Sequence, residues 1–308
     1  MFLKFDNSLL LLPIISLVLI SCTIEVHSGP GDDKKVLHEK TFKTSPGKNF
    51  ELKSSTGEVL VTEWDRDEVY VKISGDEDAE ERMKFYFDES EDKIKVTAEK
   101  EGSLFGLFTN GIELIYEIKV PSEFNLNLHT AGGDIRLGNV SGYHDLQTSG
   151  GDFWIKNTNG VLKIHTSGGD VNLDNTAGTL DVSTSGGDIM AIGFEGKLNA
   201  ETSGGDIKLK GSNSEIYAHT SGGDINVDYA GTNKGIDLST SGGDITILLP
   251  ADFDASADLS TSGGDVSCEL TMNNTGKISS YKILADLNNG GPPLVAHTSG
   301  GDVVIRKK

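Results

Sequence analysis

Aspartates recur at regular intervals from residue 134 onward, each at the end of a T-S-G-G-D motif or a close variant. The steps between the first six are 18 residues each. Stacked carboxylates indicate calcium, but calcium takes about six to eight oxygen ligands, and one aspartate per repeat supplies too few. We therefore predict no metal and no cofactor, and expect each carboxylate to accept backbone N–H bonds at its Gly-Gly corner, with calcium left open as the alternative. The aspartates are Asp134, Asp152, Asp170, Asp188, Asp206, Asp224, Asp244, Asp265 and Asp302.

Four histidines share one repeat position, directly before the motif threonine. They are His129, His165, His219 and His297. Glutamine, serine or glutamate holds this position in the other repeats. The nearest two histidines are two repeats apart, which is ~9.6 Å between stacked strands. Zinc bonds of ~2 Å cannot join them, so this row is predicted to be solvated.

The remaining candidates for catalysis also lack partners. Serines of the motif, such as Ser149 and Ser167, have no base at a fixed repeat position, and a nucleophile needs an oriented base within hydrogen-bond reach. Trp154 should face outward, but its row holds no second aromatic to extend a sugar-stacking surface. The sequence therefore predicts a protein that is not an enzyme and has no catalytic residues. A polysaccharide-active β-helix enzyme remains an alternative.

Side-chain parity shows how one repeat runs. After Asp170, Val171 and Leu173 alternate with polar residues, whereas Leu180 and Val182 alternate with the opposite parity. Successive side chains in a strand point to opposite faces, so the chain must turn between these two segments. Each repeat is therefore predicted to form one coil with two strands and two corners. Neighbouring coils should stack with their strands ~4.8 Å apart.

Stacking turns each inward position into a ladder. One predicted ladder consists of Leu146, Ile164, Val182, Ala200, Ala218, Leu238 and Leu259. The predicted fold is all-β, a parallel β-solenoid with two strands per ~18-residue coil, right-handed by the usual crossover rule. Residues 129–308 should contain roughly ten coils. The step from Asp265 to Asp302 covers two periods, which predicts a coil near residues 281–291 that has lost its motif.

Residues 36–128 form a second region with alternating apolar positions but no fixed period, as at Val59 and Val61. This pattern predicts an irregular β region that caps the solenoid. One glycine-flanked loop within it carries four large apolar residues, which are Leu104, Phe105, Leu107 and Phe108. We expect the loop to cover the first coil, because open sheet ends promote edge-to-edge association. A partner or membrane contact is the alternative.

The first residues indicate export. Residues 9–20 form an apolar run that is too short to span a membrane and is typical of a signal peptide. The run ends in Leu19-Ile20-Ser21-Cys22, which resembles the lipobox of bacterial lipoproteins. That resemblance implies a signal peptide over residues 1–21, lipidation of Cys22, and a lipid-anchored tether over residues 22–35. Thr23 in place of aspartate favours the outer membrane over other envelope locations.

Charge limits the possible partners. The chain has 27 basic and 47 acidic residues, a net charge of −20. Such a balance argues against nucleic acid and against anionic lipid headgroups as electrostatic partners. If Cys22 is lipidated, Cys268 has no partner for an intramolecular disulfide.

Tandem strands that end in T-S-G-G-D-I, preceded by an irregular β region and a Val120-Pro121 step, resemble the bacterial putative-adhesin family of β-strand-repeat proteins. The resemblance covers residues 52–305. This is a domain-of-unknown-function family, and it supplies no catalytic residues. It implies an envelope-anchored binding or adhesion module for an unidentified protein or glycan. A structural or stress-linked envelope spacer without a specific ligand is the second hypothesis.

Overall fold

Strands make up nearly all of the regular structure in the computed structural model, which describes residues 34–101 and 111–308. The predicted all-β class is confirmed. The first seven strands are β1 (Lys35–Lys43), β2 (Asn49–Ser54), β3 (Glu58–Glu63), β4 (Glu68–Gly75), β5 (Met83–Glu89), β6 (Lys93–Lys100) and β7 (Leu114–Val120), with one helical turn, α1 (Ala79–Arg82). The repeat region begins with β8 (Asn125–Thr130), β9 (Ile135–Gly138), β10 (Gly142–Gln147), β11 (Phe153–His165), β12 (Val171–Ser183), β13 (Ile189–Glu201), β14 (Ile207–Thr220) and β15 (Ile225–Ala230). It ends with β16 (Ile236–Thr240), β17 (Ile245–Leu249), β18 (Ala255–Thr261), β19 (Val266–Cys268), β20 (Met272–Ser279), β21 (Lys282–Leu287), β22 (Pro293–Thr298) and β23 (Val303–Lys307).

The repeat region is a parallel solenoid, as predicted. Each strand pairs in parallel with the strand one repeat away, so that Phe153 lies opposite Val171 and Ile164 lies opposite Val182. One face consists of the segments before the T-S-G-G-D corner, here called face A, and the other consists of the segments after it, here called face B. In β11 to β14 the segment on face B runs through the second corner into the next segment on face A, giving strands of 13 or 14 residues.

The second corner is defined by backbone conformation more than by residue type. Asn139, Asn157 and Asn175 have φ values of 61°, 52° and 52°, and Gly193 follows in the same row at 71°. Asparagine and glycine tolerate this left-handed conformation better than other residues. The Asn157 side-chain amide donates to Oδ1 of Asn139 at 2.8 Å, which ties adjacent corners together. The sequence had shown this corner only as variable.

Inward side chains form the ladders that the parity argument predicted. Leu146, Ile164, Val182, Ala200, Ala218 and Leu238 pair in that order, and all are at most 2% exposed. Fully burying one such larger aliphatic side chain contributes about 1.5–3 kcal/mol. Because each side chain is enclosed by the coils above and below, the solenoid is stabilised only by stacking.

One ladder contains a histidine. His144 lies between Leu126 and Leu162 in a row of apolar residues, and it is 1% exposed. Its Nε2 lies 3.0 Å from the carbonyl oxygen of Val140, whereas Nδ1 has no hydrogen-bond partner. Burial lowers the pKa of His144, so the neutral imidazole is the form that fits the core.

The order of the last coils differs from the prediction. Strands β22 and β23 are inserted between β16–β17 and β18–β19, so that Leu238 pairs with Ala296, and Ala296 pairs with Leu259. The predicted coil near residues 281–291 is wrong. That segment belongs to the antiparallel pair β20–β21, which lies against β18. Its Gly290-Gly291 pair lies between β21 and β22 and is not followed by a motif aspartate.

The N-terminal region continues the same stack. β2 pairs in parallel with both β8 and β6, and β3 pairs in parallel with both β9 and β7. These two extra coils bring the total in the described residues to eleven, of which nine belong to the repeat region, where roughly ten were expected. Beyond them β5 pairs antiparallel with β6, and β4 pairs antiparallel with β7 and β1. His38 packs against Phe85 at 4.8 Å between ring centroids, which helps to close this end.

Two predicted features lie outside the described residues. They are the lipidation site Cys22 with its signal peptide, and the apolar loop with Leu104, Phe105, Leu107 and Phe108. Within residues 34–101 and 111–308, no helix has the length and apolarity needed to cross a membrane.

Candidate functional site

The motif threonines fasten each corner to the previous one. The Thr166 hydroxyl donates to the carbonyl oxygen of Gly151 in the preceding coil at 3.2 Å and accepts from the Gly169 N–H in its own coil at 3.3 Å. The same pair of bonds recurs at Thr184, Thr202 and later coils. Thr166 is fully buried, and a buried hydroxyl is tolerated only when it is hydrogen-bonded.

The two motif glycines have different roles. A Cβ on Gly205 would lie 2.0 Å from the carbonyl oxygen of Gly187 in the preceding coil, whereas a Cβ on Gly204 would lie 3.6 Å from its nearest neighbour. The second glycine is therefore required by the close approach of two backbones. The first glycine is at an exposed position with space around it.

The motif aspartates link coils through their carboxylates. Oδ1 of Asp188 accepts the backbone N–H of Asp206 at 2.8 Å, and Oδ1 of Asp206 accepts that of Asp224 at 2.7 Å. The series runs from Asp134 to Asp244, then through Asp302 to Asp265. Each bond therefore joins two coils, where the sequence had indicated a bond within one corner. In the part of the chain that the structure describes, no group of His, Cys, Asp or Glu side chains is arranged to hold a metal ion.

Three histidines in the row before the threonines each lie beside a serine of a neighbouring coil. Nδ1 of His165 lies 2.9 Å from Oγ of Ser183, Nδ1 of His219 lies 2.8 Å from Oγ of Ser239, and Nδ1 of His297 lies 2.6 Å from Oγ of Ser260. The revised strand order places His297 between Ser239 and Ser260. No two histidines of this row are neighbours in the described residues.

Trp154 on face B has a local packing partner. The Arg136 guanidinium lies 4.4 Å from the centroid of its ring. Arg136 also forms ion pairs with Glu58 and Asp134, which hold it in place. Trp154 itself is 37% exposed. Because the Arg136 guanidinium already covers one face of the Trp154 ring, the ring offers only a small surface for contact with a ligand.

A groove of about 610 Å³ lies on face A near the N-terminal end of the stack. Its floor is the row formed by Thr97, Lys53, His129, Gln147 and His165, which come from five consecutive coils. At ~4.8 Å per coil, the row extends over about 19 Å. The hydroxyl-bearing corner residues Ser55, Ser149 and Ser167 also line it. We define this feature as the face A groove.

The groove lies where the repeat motif departs from its consensus. The corner after β2 reads Ser-Ser-Thr-Gly-Glu, and the corner after β8 has Ala131 in the serine position. The segment after β6 has no Gly-Gly pair before β7. Sequence reasoning did not find this site, although the breakdown of the motif toward the N-terminus was a visible signal.

A buried carboxylate sits beside the groove among lysines. Glu51 on β2 is 8% exposed. Its oxygens lie 2.7 Å from Nζ of Lys93, 3.2 Å from Nζ of Lys95 and 3.3 Å from Nζ of Lys53. The hydrogen bond from Lys93 leads the effects that lower the pKa of Glu51 to about 2, so the carboxylate stays ionised. Three ammonium groups around one carboxylate leave a local excess of positive charge.

Several solved structures match most of this chain at low sequence identity and low TM-score. They include a putative adhesin from Bacteroides fragilis (11% identity over 89% of this chain and 97% of that chain, TM-score 0.38) and a putative cell adhesion protein from Clostridium sporogenes (12% identity, 89% and 100% coverage, TM-score 0.24). A putative lipid binding protein from Parabacteroides distasonis has 12% identity, 88% and 96% coverage, and a TM-score of 0.29. None of the curated proteins is similar enough in sequence to match this chain.

A family model gives a clearer result. The model described as Toastrack DUF4097 matches residues 48–306. The match includes β2 and β3 as well as every T-S-G-G-D coil, in agreement with the continuous stack. The resemblance inferred from the repeat motif is thereby confirmed. Because the match extends over more than half of the sequence, the chain belongs to the Toastrack family DUF4097.

Proposed function

We propose that this chain is a non-enzymatic binding module held at the bacterial cell envelope by acyl chains on Cys22. The observation that carries the proposal is the hydrogen-bond pattern of the motif corners. The repeated threonine and aspartate side chains bond to the backbone of neighbouring coils, as Thr202 and Asp188 do. The chemistry of the motif is thus used to build a rigid support, and recognition is left to the side chains of its faces.

The anchor is supported by the sequence Leu19-Ile20-Ser21-Cys22. Several acyl chains on one cysteine would hold the protein at a membrane without a spanning helix. Replacing Cys22 with alanine should release the protein into the soluble fraction, and unchanged membrane association would contradict the anchor. A Cys268→Ala variant is the matched control, because that thiol is partly buried in the last coil.

The absence of catalysis has its own test. A hydrolase or lyase acting on a glycan would produce new chain ends, either reducing or unsaturated. We expect none when the purified protein is incubated with acidic and neutral polysaccharides. Steady release of chain ends in proportion to protein concentration would instead support the β-helix enzyme alternative.

A spacer without a ligand is the second candidate, and one observation favours it. Eleven coils at ~4.8 Å per step give a stack about 48 Å long. Cell-surface exposure separates the two candidates, because a module that binds external ligands must be accessible from outside.

A further inference from the structure

We propose that the coil formed by β22 and β23 is exchanged between two copies of this chain, so that each copy completes the other's stack. The inference concerns assembly and goes beyond the binding function proposed above. This coil lies between β16–β17 and β18–β19, both of which precede it in the sequence. We define residues 293–308 as the inserted coil, and the space that it fills between its two neighbours as the insertion slot.

The insertion slot holds the inserted coil through motif bonds on both sides. The N–H of Asp302 donates to Oδ1 of Asp244 at 2.7 Å, and the N–H of Asp265 donates to Oδ1 of Asp302 at 2.8 Å. The Thr298 hydroxyl donates to the carbonyl oxygen of Gly243 at 2.8 Å. An inserted coil from a second copy has the same sequence, so it makes each of these bonds without a change in the slot.

Burial makes an empty insertion slot unfavourable. The inward side chains Leu294, Ala296, Val303 and Ile305 of the inserted coil are fully buried. Ala296 lies against Leu238 of the coil on one side, which is also fully buried. Burying one of the larger aliphatic side chains contributes about 1.5–3 kcal/mol. A slot that loses its own coil must therefore be filled again, and a second copy supplies a coil of the same shape.

The linker to the inserted coil favours the exchange. Residues 288–292 carry the chain from β21 past the end of β18 to β22, because β18 pairs with β21 on one side and with β22 on the other. This short path includes positive φ values of 51° at Asn288 and 73° at Gly290. Pro292 and Pro293 follow, and a proline restricts the residue before it to extended conformations. Short hinge loops under strain promote exchange between copies, because the linker can extend when its coil joins a second copy.

The exchanged dimer keeps every contact that the inserted coil makes within one copy. Protein concentration therefore sets the proportion of the dimer. The net charge of −20 on each copy opposes association, and salt screens this repulsion. We expect the proportion of exchanged dimer to rise with protein concentration and with salt.

The strand register supplies positions that report on the exchange. Thr246 on β17 and Val304 on the inserted coil lie opposite each other in parallel strands, and both are half-buried on face B. Strands ~4.8 Å apart place cysteines at these positions within the range of a disulfide. Asn226 on β15 lies opposite Thr246 on its other side. Asn226 and Thr246 form the matched control pair, because neither belongs to the inserted coil.

The experiment is co-expression of two full-length chains with different epitope tags, one carrying T246C and the other V304C, both with Cys268→Ala. After extraction in detergent and oxidation of the thiols, electrophoresis without reductant separates the mixed disulfide dimer. We expect this dimer to be about fivefold or more above the level given by N226C with T246C. A single chain that carries both T246C and V304C should form the disulfide within one copy, because its own coil can also fill the slot.

Two outcomes would overturn the proposal. A mixed dimer no more abundant than that of the control pair would show that the inserted coil stays within its own copy. Failure of the single chain with both cysteines to form a disulfide would contradict the placement of the coil beside β17. The test reads the position of one coil, and neither membrane association nor ligand binding enters it. The anchored binding module can therefore stand or fail separately.

Discussion

Replacing His144 with leucine should make the protein more resistant to acid. His144 is buried between Leu126 and Leu162, and its imidazole is neutral in the folded state because burial lowers its pKa. The unfolded chain takes up a proton as the pH falls below about 6.5. Stability that is present above this pH is therefore lost as the pH falls from about 6.5 toward the lower pKa of the folded state.

The magnitude follows from the linkage between protonation and folding. Each pH unit below the ordinary value costs up to about 1.4 kcal/mol of unfolding free energy, so pH 5 costs up to about 2 kcal/mol. At pH 8 leucine loses the bond from Nε2 to the Val140 carbonyl, a loss of about 1 kcal/mol. Leucine also removes the unpaired Nδ1 and buries more apolar surface. These two gains offset the lost hydrogen bond by a similar free energy. The variant should match the parent at pH 8 and exceed it at pH 5 by up to about 2 kcal/mol.

Urea unfolding at both pH values measures this difference directly. The comparison uses the change in H144L relative to the parent, so that the other titrating groups cancel. His165→Gln, which removes an exposed imidazole in the next coil, is the control. If the difference between H144L and the parent is the same at pH 5 and pH 8, the buried imidazole does not govern acid stability and the reasoning is refuted.

Three further results are expected from the corners and the terminal coil. Gly205→Ala should lower the free energy of unfolding by more than about 3 kcal/mol, because it places a Cβ against the backbone of the preceding coil. Gly204→Ala has space for its Cβ and should lower it by less than about 1 kcal/mol. Similar denaturation midpoints for the two variants would contradict the corner geometry. Asp206→Ala should lower the free energy of unfolding by about 1–2 kcal/mol, whereas Asp206→Asn should be nearly neutral because its amide oxygen can still accept the Asp224 N–H. EDTA should leave the Tm of the parent protein unchanged. A large drop in Tm with EDTA would instead indicate bound calcium. A chain that ends before residue 293 lacks the coil between β16–β17 and β18–β19. Limited proteolysis of this truncated chain should therefore cut within residues 250–292. Resistance equal to that of the full chain would show that β18–β19 can stack directly on β16–β17.

The solenoid itself could be predicted because each coil repeats a local pattern. The inward side chains around Leu173 and around Leu180 have opposite parity, which requires a corner between the two segments. The constant spacing between motif aspartates requires stacked coils. The ladder from Leu146 to Leu238 follows from these two facts alone.

The order of the final coils could not be predicted for a physical reason. Every T-S-G-G-D coil offers the same corner bonds, so the coil containing Asp302 can stack on that of Asp244 as well as on that of Asp265. The motif therefore specifies that coils stack but not which coils are neighbours. The antiparallel pair β20–β21 decides the order, because it returns the chain to a position beside β18.

The face A groove was missed because its residues come from separated parts of the chain. Lys53 and Thr97 meet His129 only through the pairing of β2 with β6 and β8. The degenerate corner at Gly57 hid that pairing in the sequence, although Thr130 bonds to the Gly57 carbonyl as in a regular coil. The buried position of His144 was equally hidden, since parity alone does not show that a polar residue can occupy an inward row.

The solenoid is proposed to be displayed from the cell envelope as a binding module. Protease treatment of intact cells, followed by immunoblotting for the mature chain, tests it most directly. A periplasmic protein serves as the control for an unbroken envelope. Loss of the chain while the control survives is the expected result. Protection of the chain in cells with an intact envelope would contradict surface binding and favour the spacer.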